Sequence, residues 1–300
     1  VITFLHVLHA YKLNWGLYFQ NYTTLLKVIL ILLFIFFGLT HKPVHNIQIL
    51  PDYKDLSVIF SAQYAIALIW VSYAYTGWNS VIYISGELKH PEADISKTMF
   101  FSTGLVTILY VLLNFVFLYT TPNELMVGQI DIGYIAGQGI FGENGSKLVA
   151  IGISFLLLST VSSYIYIGPR IIQIVSEDHE VLSFLRSDKR EIIPKSSFIA
   201  QLIISYIFLL TSTFEQVLMY AGAALTITSS LTVLSLFVLR VRKPELNRPY
   251  MAWGYPITPI IYLFSNLWIM YHMFSESTFE SILGLSVVMV GIIFYFFLRE

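Results

Sequence analysis

The sequence predicts an all-α membrane protein that crosses the bilayer many times, and three observations carry that reading. Of the 300 residues, 56% are apolar and 12% charged, where a soluble domain carries about 25% charged residues. Apolar stretches of about 20 residues, enough at 1.5 Å each to cross ~30 Å of hydrocarbon, recur along the chain. The basic residues between the stretches gather on one side.

The stretches are expected at 1–10 (in part), 22–40, 57–84, 98–120, 146–170, 196–213, 216–240, 255–273 and 280–298. They are apolar nearly all round, whereas helices of a soluble protein show a stripe of period 3.6. The long loop from Thr121 to Ser146 is rich in glycine and mixes apolar with polar residues, so a short surface-lying helix is expected there. If every stretch crosses, the loops alternate between two faces. One face collects Lys12, Lys89, Lys97, Arg170, Arg186, Lys189, Arg190, Lys195, Arg240, Arg242, Lys243, Arg248 and Arg299; the other has Lys42, Lys54 and Lys147. Thirteen basic residues against three place the 170–195 loop and the C-terminus in the cytoplasm by the positive-inside rule.

No linker divides the chain, so a single multi-pass domain over 1–300 is expected. The chain opens Val1-Ile2-Thr3-Phe4-Leu5 inside an apolar stretch, without Met or the basic start of a signal peptide. It is expected to begin inside a helix, with N-terminal helices missing. A net charge of −1 without a basic patch argues against nucleic acid as a partner. The absence of cysteine excludes disulfides and thiolate metal sites.

The stretch at 57–84 has a polar centre, Ser72-Tyr73-Ala74-Tyr75-Thr76-Gly77-Trp78-Asn79-Ser80. Irregular backbone at membrane depth survives only where protein or a water-filled cavity satisfies its freed N–H and C=O groups. Transporters use such interruptions to meet substrates with backbone groups. A packing glycine with back-bonded hydroxyls is the other reading of these residues.

Tyr73-Ala74-Tyr75-Thr76-Gly77-Trp78-Asn79 resembles the sixth-helix signature of the amino acid–polyamine–organocation (APC) superfamily, particularly its branch of L-type amino acid transporters. Gly86-Glu87-Leu88-Lys89-His90-Pro91 resembles the loop that follows that helix. Arg242-Lys243-Pro244-Glu245-Leu246-Asn247-Arg248-Pro249-Tyr250 with Gly254-Tyr255-Pro256 resembles the loop between helices ten and eleven. The chain departs from the family at Gly86, at Ser96, and after Arg170, where Val175-Ser176-Glu177-Asp178-His179 replaces the usual short motif.

The resemblance covers essentially the whole chain and implies a LeuT-type inverted-repeat transporter, with helices four to twelve present. It implies a substrate site at Tyr73, Ala74, Tyr75, Thr76, Gly77, Trp78 and Asn79. The carbonyls of residues 73–76 would meet the substrate's α-amino group, and Tyr73 would close over it.

Lys27 lies inside the 22–40 stretch. It either snorkels to the headgroups or is a buried functional charge. The family resemblance places it where many members hold a lysine in the position of a sodium ion, next to helix eight. The hydroxyls Ser159, Ser162 and Ser163 share a helix face there, at i, i+3 and i+4. These four residues form the expected coupling-ion site, although small hydroxyls also serve as ordinary packing between membrane helices.

His6 with His9, and His41 with His45, are spaced for a metal but lack a third ligand, so neither a metal nor a cofactor is implied. The expected function is secondary active transport of amino acids, by proton symport or exchange, in the cell (plasma or inner) membrane. Partners would be a small-molecule substrate, a proton or counter-substrate, and the lipid bilayer. A polyamine or other amine carrier, or an inactive truncated permease, is the alternative. A receptor or membrane enzyme would need a soluble domain, heme-ligand histidines or paired intramembrane acids, and the sequence offers none.

Overall fold

The structure, a computed structural model, describes residues 1–11, 13–44, 52–186 and 195–297. Among the described residues there is no strand. The helices in chain order are α1 (Ile2–Tyr11), α2 (Leu13–Thr40), α3 (Tyr53–Ile59), α4 (Ala62–Ala74), α5 (Ser80–Tyr83), α6 (Pro91–Thr120), α7 (Asn123–Met126), α8 (Ile132–Asp178), α9 (Lys195–Thr211), α10 (Phe214–Arg242), α11 (Ile257–Glu276) and α12 (Thr278–Phe297). Among the described residues, six helices (α2, α6, α8, α10, α11 and α12) are long and apolar enough to cross a membrane. Only 11–22% of each apolar window is buried, so most of these side chains are left for lipid. Phe100 and Phe101 on α6 are each 71% exposed, which water would not tolerate over so many helices.

Each expected stretch becomes helix, but the boundaries move. α2 starts at Leu13, well before Tyr22. α6 starts at Pro91, a residue suited to the first helical position, and Glu92 and Asp94 add favourable negative charge to its first turn. The 57–84 stretch divides into α3, α4 and α5. Ser61 starts α4, its Oγ accepting from the Tyr64 N–H at 3.2 Å. α8 is 47 residues long because it continues through Gly142, whose φ of 70° and ψ of −176° break the helical path. Such a φ suits glycine. Residues 132–141 therefore fold back, and Gly137 seats against Val149 of the same helix, 3.1 Å from where a Cβ would stand. The helix expected in the Thr121–Ser146 loop is thus the 132–141 arm of α8, folded against the rest of that helix. His45, Lys12, Lys189, Arg190 and Arg299, all used in the sequence reading, lie outside the described residues.

The chain forms two compact units. One comprises residues 1–50, 99–178 and 182–203; the other comprises 51–98, 179–181 and 204–300. In the first, Leu5, Ile165 and Phe198 join α1, α8 and α9, while Ile35, Leu109 and Val116 join α2 to α6. In the second, Ile69, Ala223, Ile269 and Met273 join α4, α10 and α11. The second unit also contains the loop after α10. There Arg248 donates to the carbonyls of Lys243 at 2.7 Å, Leu246 at 2.9 Å, Pro244 at 3.0 Å and Leu239 at 3.4 Å. Those carbonyls include ones that a helix end leaves without intrahelical partners. The Arg240 guanidinium lies 3.6 Å from the centre of the Tyr255 ring.

Candidate functional site

In the second unit, α4 ends at Ala74 and α5 begins at Ser80, with residues 75–79 in turns. Gly77 has φ +94°, a conformation that residues with a Cβ rarely adopt. The turn is closed by its own backbone: Thr76 N–H donates to the Tyr73 carbonyl at 3.0 Å and Ser80 N–H to the Gly77 carbonyl at 3.0 Å. Trp78 N–H reaches the Tyr75 carbonyl at 3.3 Å. The Thr76 hydroxyl also donates to the Tyr73 carbonyl, at 2.8 Å, so that oxygen accepts twice. Asn79 Nδ2 donates to the Tyr83 hydroxyl at 2.9 Å. The interruption is thus a defined turn that spends the Tyr73 and Tyr75 carbonyls on neighbouring donors.

In the first unit, Lys27 is partly buried, with α2 opening nearly four turns ahead of it. Its Nζ donates to Thr160 Oγ1 at 2.8 Å. The sequence reading grouped Lys27 with Ser159, Ser162 and Ser163; the structure divides those serines among different partners. Ser163 Oγ accepts from Gln20 Nε2 and donates to the Ser159 carbonyl at 3.1 Å. Ser162 Oγ shares a 2.8 Å hydrogen bond with His9 Nε2. Ser159 is fully buried and its Oγ has no hydrogen-bond partner among the described residues. The reason is helical geometry. Thr160 and Ser163, at i and i+3, lie together on one side of α8 and meet α2, while Ser162 is turned toward α1.

Sequence reasoning missed Gln20 and Thr24 beside Lys27, and His9 as the partner of Ser162. Gln20, Thr24 and Lys27 stand at i, i+4 and i+7 on α2, and Gln20 Nε2 also reaches Thr24 Oγ1 at 3.2 Å. That stripe was a readable signal. His9 was not, because its partner lies 153 residues away.

An apolar cleft of about 410 Å³ lies between α2, α6 and both arms of α8, lined by residues such as Phe34, Phe37, Phe117 and Phe141. Its lining offers no charged side chain to an ammonium or carboxylate, so it does not resemble a site for a zwitterion.

Among the described residues, six helices long and apolar enough to cross a membrane, with a glycine turn between α4 and α5 and a lysine on α2 held on a hydroxyl, define a multi-pass α-helical membrane protein. The chain belongs to the family described as amino acid permease, whose profile matches residues 1–298. It therefore has that family's LeuT-type inverted-repeat fold, as the sequence resemblance implied. It is similar to the b(0,+)-type amino acid transporter 1 of Mus musculus, at 26% identity over 98% of this chain and 60% of the relative. The serine/threonine exchanger SteT of Bacillus subtilis is 23% identical over 100% of this chain and 68% of its own length. The cystine/glutamate transporter of Homo sapiens is 24% identical over 98% and 58%. The chain thus spans about three-fifths of the length of the curated relatives it matches first.

Proposed function

We propose that this chain carries out, or forms the greater part of a protein that carries out, secondary active transport of amino acids by alternating access. The observation that carries the reading is the turn at residues 75–79 within a chain of the amino acid permease family. A glycine at φ +94° between two helical pieces interrupts a ladder that an ordinary span would keep continuous. Transporters of this architecture use such breaks to present backbone groups to substrate.

In this reading Tyr73, Ala74, Tyr75, Thr76, Gly77, Trp78 and Asn79 line the substrate site. The Thr76 hydroxyl, now on the Tyr73 carbonyl, has to turn away when an α-ammonium takes that oxygen. Lys27, with Ser159, Ser162 and Ser163 and with Thr160 added, is the coupling site, serving proton symport or exchange. The protein is a single transporter domain of the cell membrane with its C-terminus in the cytoplasm. Relatives named for serine and threonine exchange and for cystine and glutamate support the amino acid as the substrate class.

The test is uptake of radiolabelled amino acids into proteoliposomes bearing the chain. Counter-substrate inside the vesicles separates exchange from symport, which an imposed proton gradient drives. Saturable uptake above that of protein-free liposomes is expected. Equal flux in both vesicle types, with the protein folded and inserted, refutes the reading.

A further inference from the structure

His9 belongs to neither proposed site, yet it is among the most deeply buried polar side chains of the first unit, 1% exposed. Its Nε2 shares a 2.8 Å hydrogen bond with Ser162 Oγ, itself fully buried. The ring lies 5.9 Å from the Tyr166 ring on α8. On its other side it seats against Gly16 of α2, where any Cβ would strike Nδ1. Three helices therefore close on one imidazole, and a glycine leaves the room for it.

Only one of the two ring nitrogens is partnered: Nδ1 is buried without a hydrogen bond among the described residues. A neutral imidazole fits this arrangement, since it has one N–H and one lone pair, and the Ser162 hydroxyl can serve either. A cationic ring has two N–H donors. The one at Nδ1 would face Gly16 with no acceptor, and a buried donor left unpaired is costly.

The electrostatic surroundings point the same way. The titratable and charged groups on the surrounding helices, acids apart, are His6 and Tyr11 on α1, Tyr18, Tyr22 and Lys27 on α2, Tyr134, Lys147, Tyr164, Tyr166 and Arg170 on α8, and Lys195 and Tyr206 on α9. Neither α1, α2 nor α9 contains a carboxylate. On α8 the acids are Glu143, Glu177 and Asp178; the nearer of them in sequence lie about 22 Å along the helix from Ser162 at 1.5 Å per residue. A proton taken up by His9 joins cations and finds no counter-charge.

We propose that His9 is a proton-binding site that latches α1 to α8 through Ser162, and that a second proton on its ring releases the latch. The latch shares Ser162 with the proposed coupling site but not Lys27, whose hydroxyl partner is Thr160. It makes the packing of α1 on α8 responsive to acid.

The experiment uses the whole chain in nanodiscs. It has no native cysteine, so spin labels can be placed at Val7→Cys on α1 and Tyr164→Cys on α8, both exposed at 59% and 47%. Pulsed electron resonance then reads the separation from pH about 8 to about 4, a span that reaches below the range of an ordinary histidine. The labelled parent should show one narrow distance at the upper pH and gain a longer component in acid.

His9→Gln keeps a hydrogen-bonding group without a titrating proton, and should stay narrow at both ends of the range. Ser162→Ala should be broad at both, because the latch lacks its hydroxyl whatever the proton does. His6→Gln should respond like the parent, since the His6 ring bonds within α1 to the Ile2 carbonyl at 2.9 Å. A distance that does not change with pH in the parent overturns the proposal. So does an acid response that persists in His9→Gln.

Discussion

Arg248 donates to the Lys243 carbonyl at 2.7 Å, folding the loop after α10 back onto the end of that helix. This gives a physical role to part of the Arg242–Tyr250 stretch, whose length and composition stood out in the sequence. Charge-assisted bonds to helix-end carbonyls are worth about 1.5–3 kcal/mol when well formed, and less where water reaches them. Arg248→Ala should destabilise the chain by about 1–2 kcal/mol, lowering its thermal unfolding midpoint in detergent by a few degrees. Arg248→Lys keeps the charge but loses the planar fork that serves several carbonyls at once, so it should recover less than half of the loss. An unchanged midpoint for Arg248→Ala would show that the loop does not depend on this residue.

The second expectation concerns Lys27 and Thr160, joined at 2.8 Å. Arg preserves the charge but does not release a proton at physiological pH. If Lys27 serves coupling, Lys27→Arg should impair amino acid uptake at least several-fold, with a flattened profile between pH 5 and 8 if the lysine carries the proton. Thr160→Val removes the hydroxyl at nearly constant shape and should weaken uptake less than Lys27→Ala. Snorkelling makes the opposite prediction, because arginine also reaches the interface. Uptake by Lys27→Arg equal to the parent across that range would reduce Lys27 to an anchor.

The third concerns Gly77. A Cβ there would meet only Ser80 Oγ, at 3.4 Å, while φ is +94°. The obstacle to substitution is therefore the backbone conformation more than the space. Gly77→Ala should already impair uptake, by a cost of about 1–2 kcal/mol in a left-handed conformation, and Gly77→Leu should abolish it with the protein still in the membrane. Tyr73→Ala should have a milder effect, through the loss of a ring over the site. Full uptake by Gly77→Leu would show that the turn is not part of a substrate path.

The fourth concerns sidedness. Part of the basic 170–195 loop lies outside the described residues, so the cytoplasmic label is placed at Asn247, in the Lys243–Tyr250 loop. Asn247 and Asn144 are both exposed. Asn144→Cys should react with a membrane-impermeant thiol reagent in intact cells, and Asn247→Cys should react only after permeabilisation. The reverse labelling pattern would overturn the orientation and with it the alternation of loops.

The spans were legible because a helix in lipid has to be apolar over about 20 residues, and this constraint leaves a strong trace. Their ends were not. Residues 13–21 of α2 include Asn14, Gln20 and Asn21, and hydropathy does not register helix that continues past the hydrocarbon. The glycine turn at 77 was legible from Gly77 among its polar neighbours. The separation of α3 from α4 was not, since Ser61 is one hydroxyl among several. Lys27 and the serine run stood out as polar residues in apolar company. Which hydroxyl meets which partner depends on the rotation of α8 against α1 and α2, and helical spacing alone does not fix that. His9 shows the limit: a pair with His6 is visible in sequence, while the contact with Ser162 exists only in three dimensions.

The lysine on α2 is held by a neutral oxygen, on a helix that has no acidic residue. A lysine matched to a carboxylate would form a dipole and feel little of the membrane voltage. Protonated Lys27 keeps a whole elementary charge within the electric field across the bilayer. Carrying one such charge through the full field involves about 2.3 kcal/mol of electrical work for each 100 mV. Any movement of α2 along the membrane normal therefore takes a share of that work, and a potential across the membrane weights one position of this helix against another.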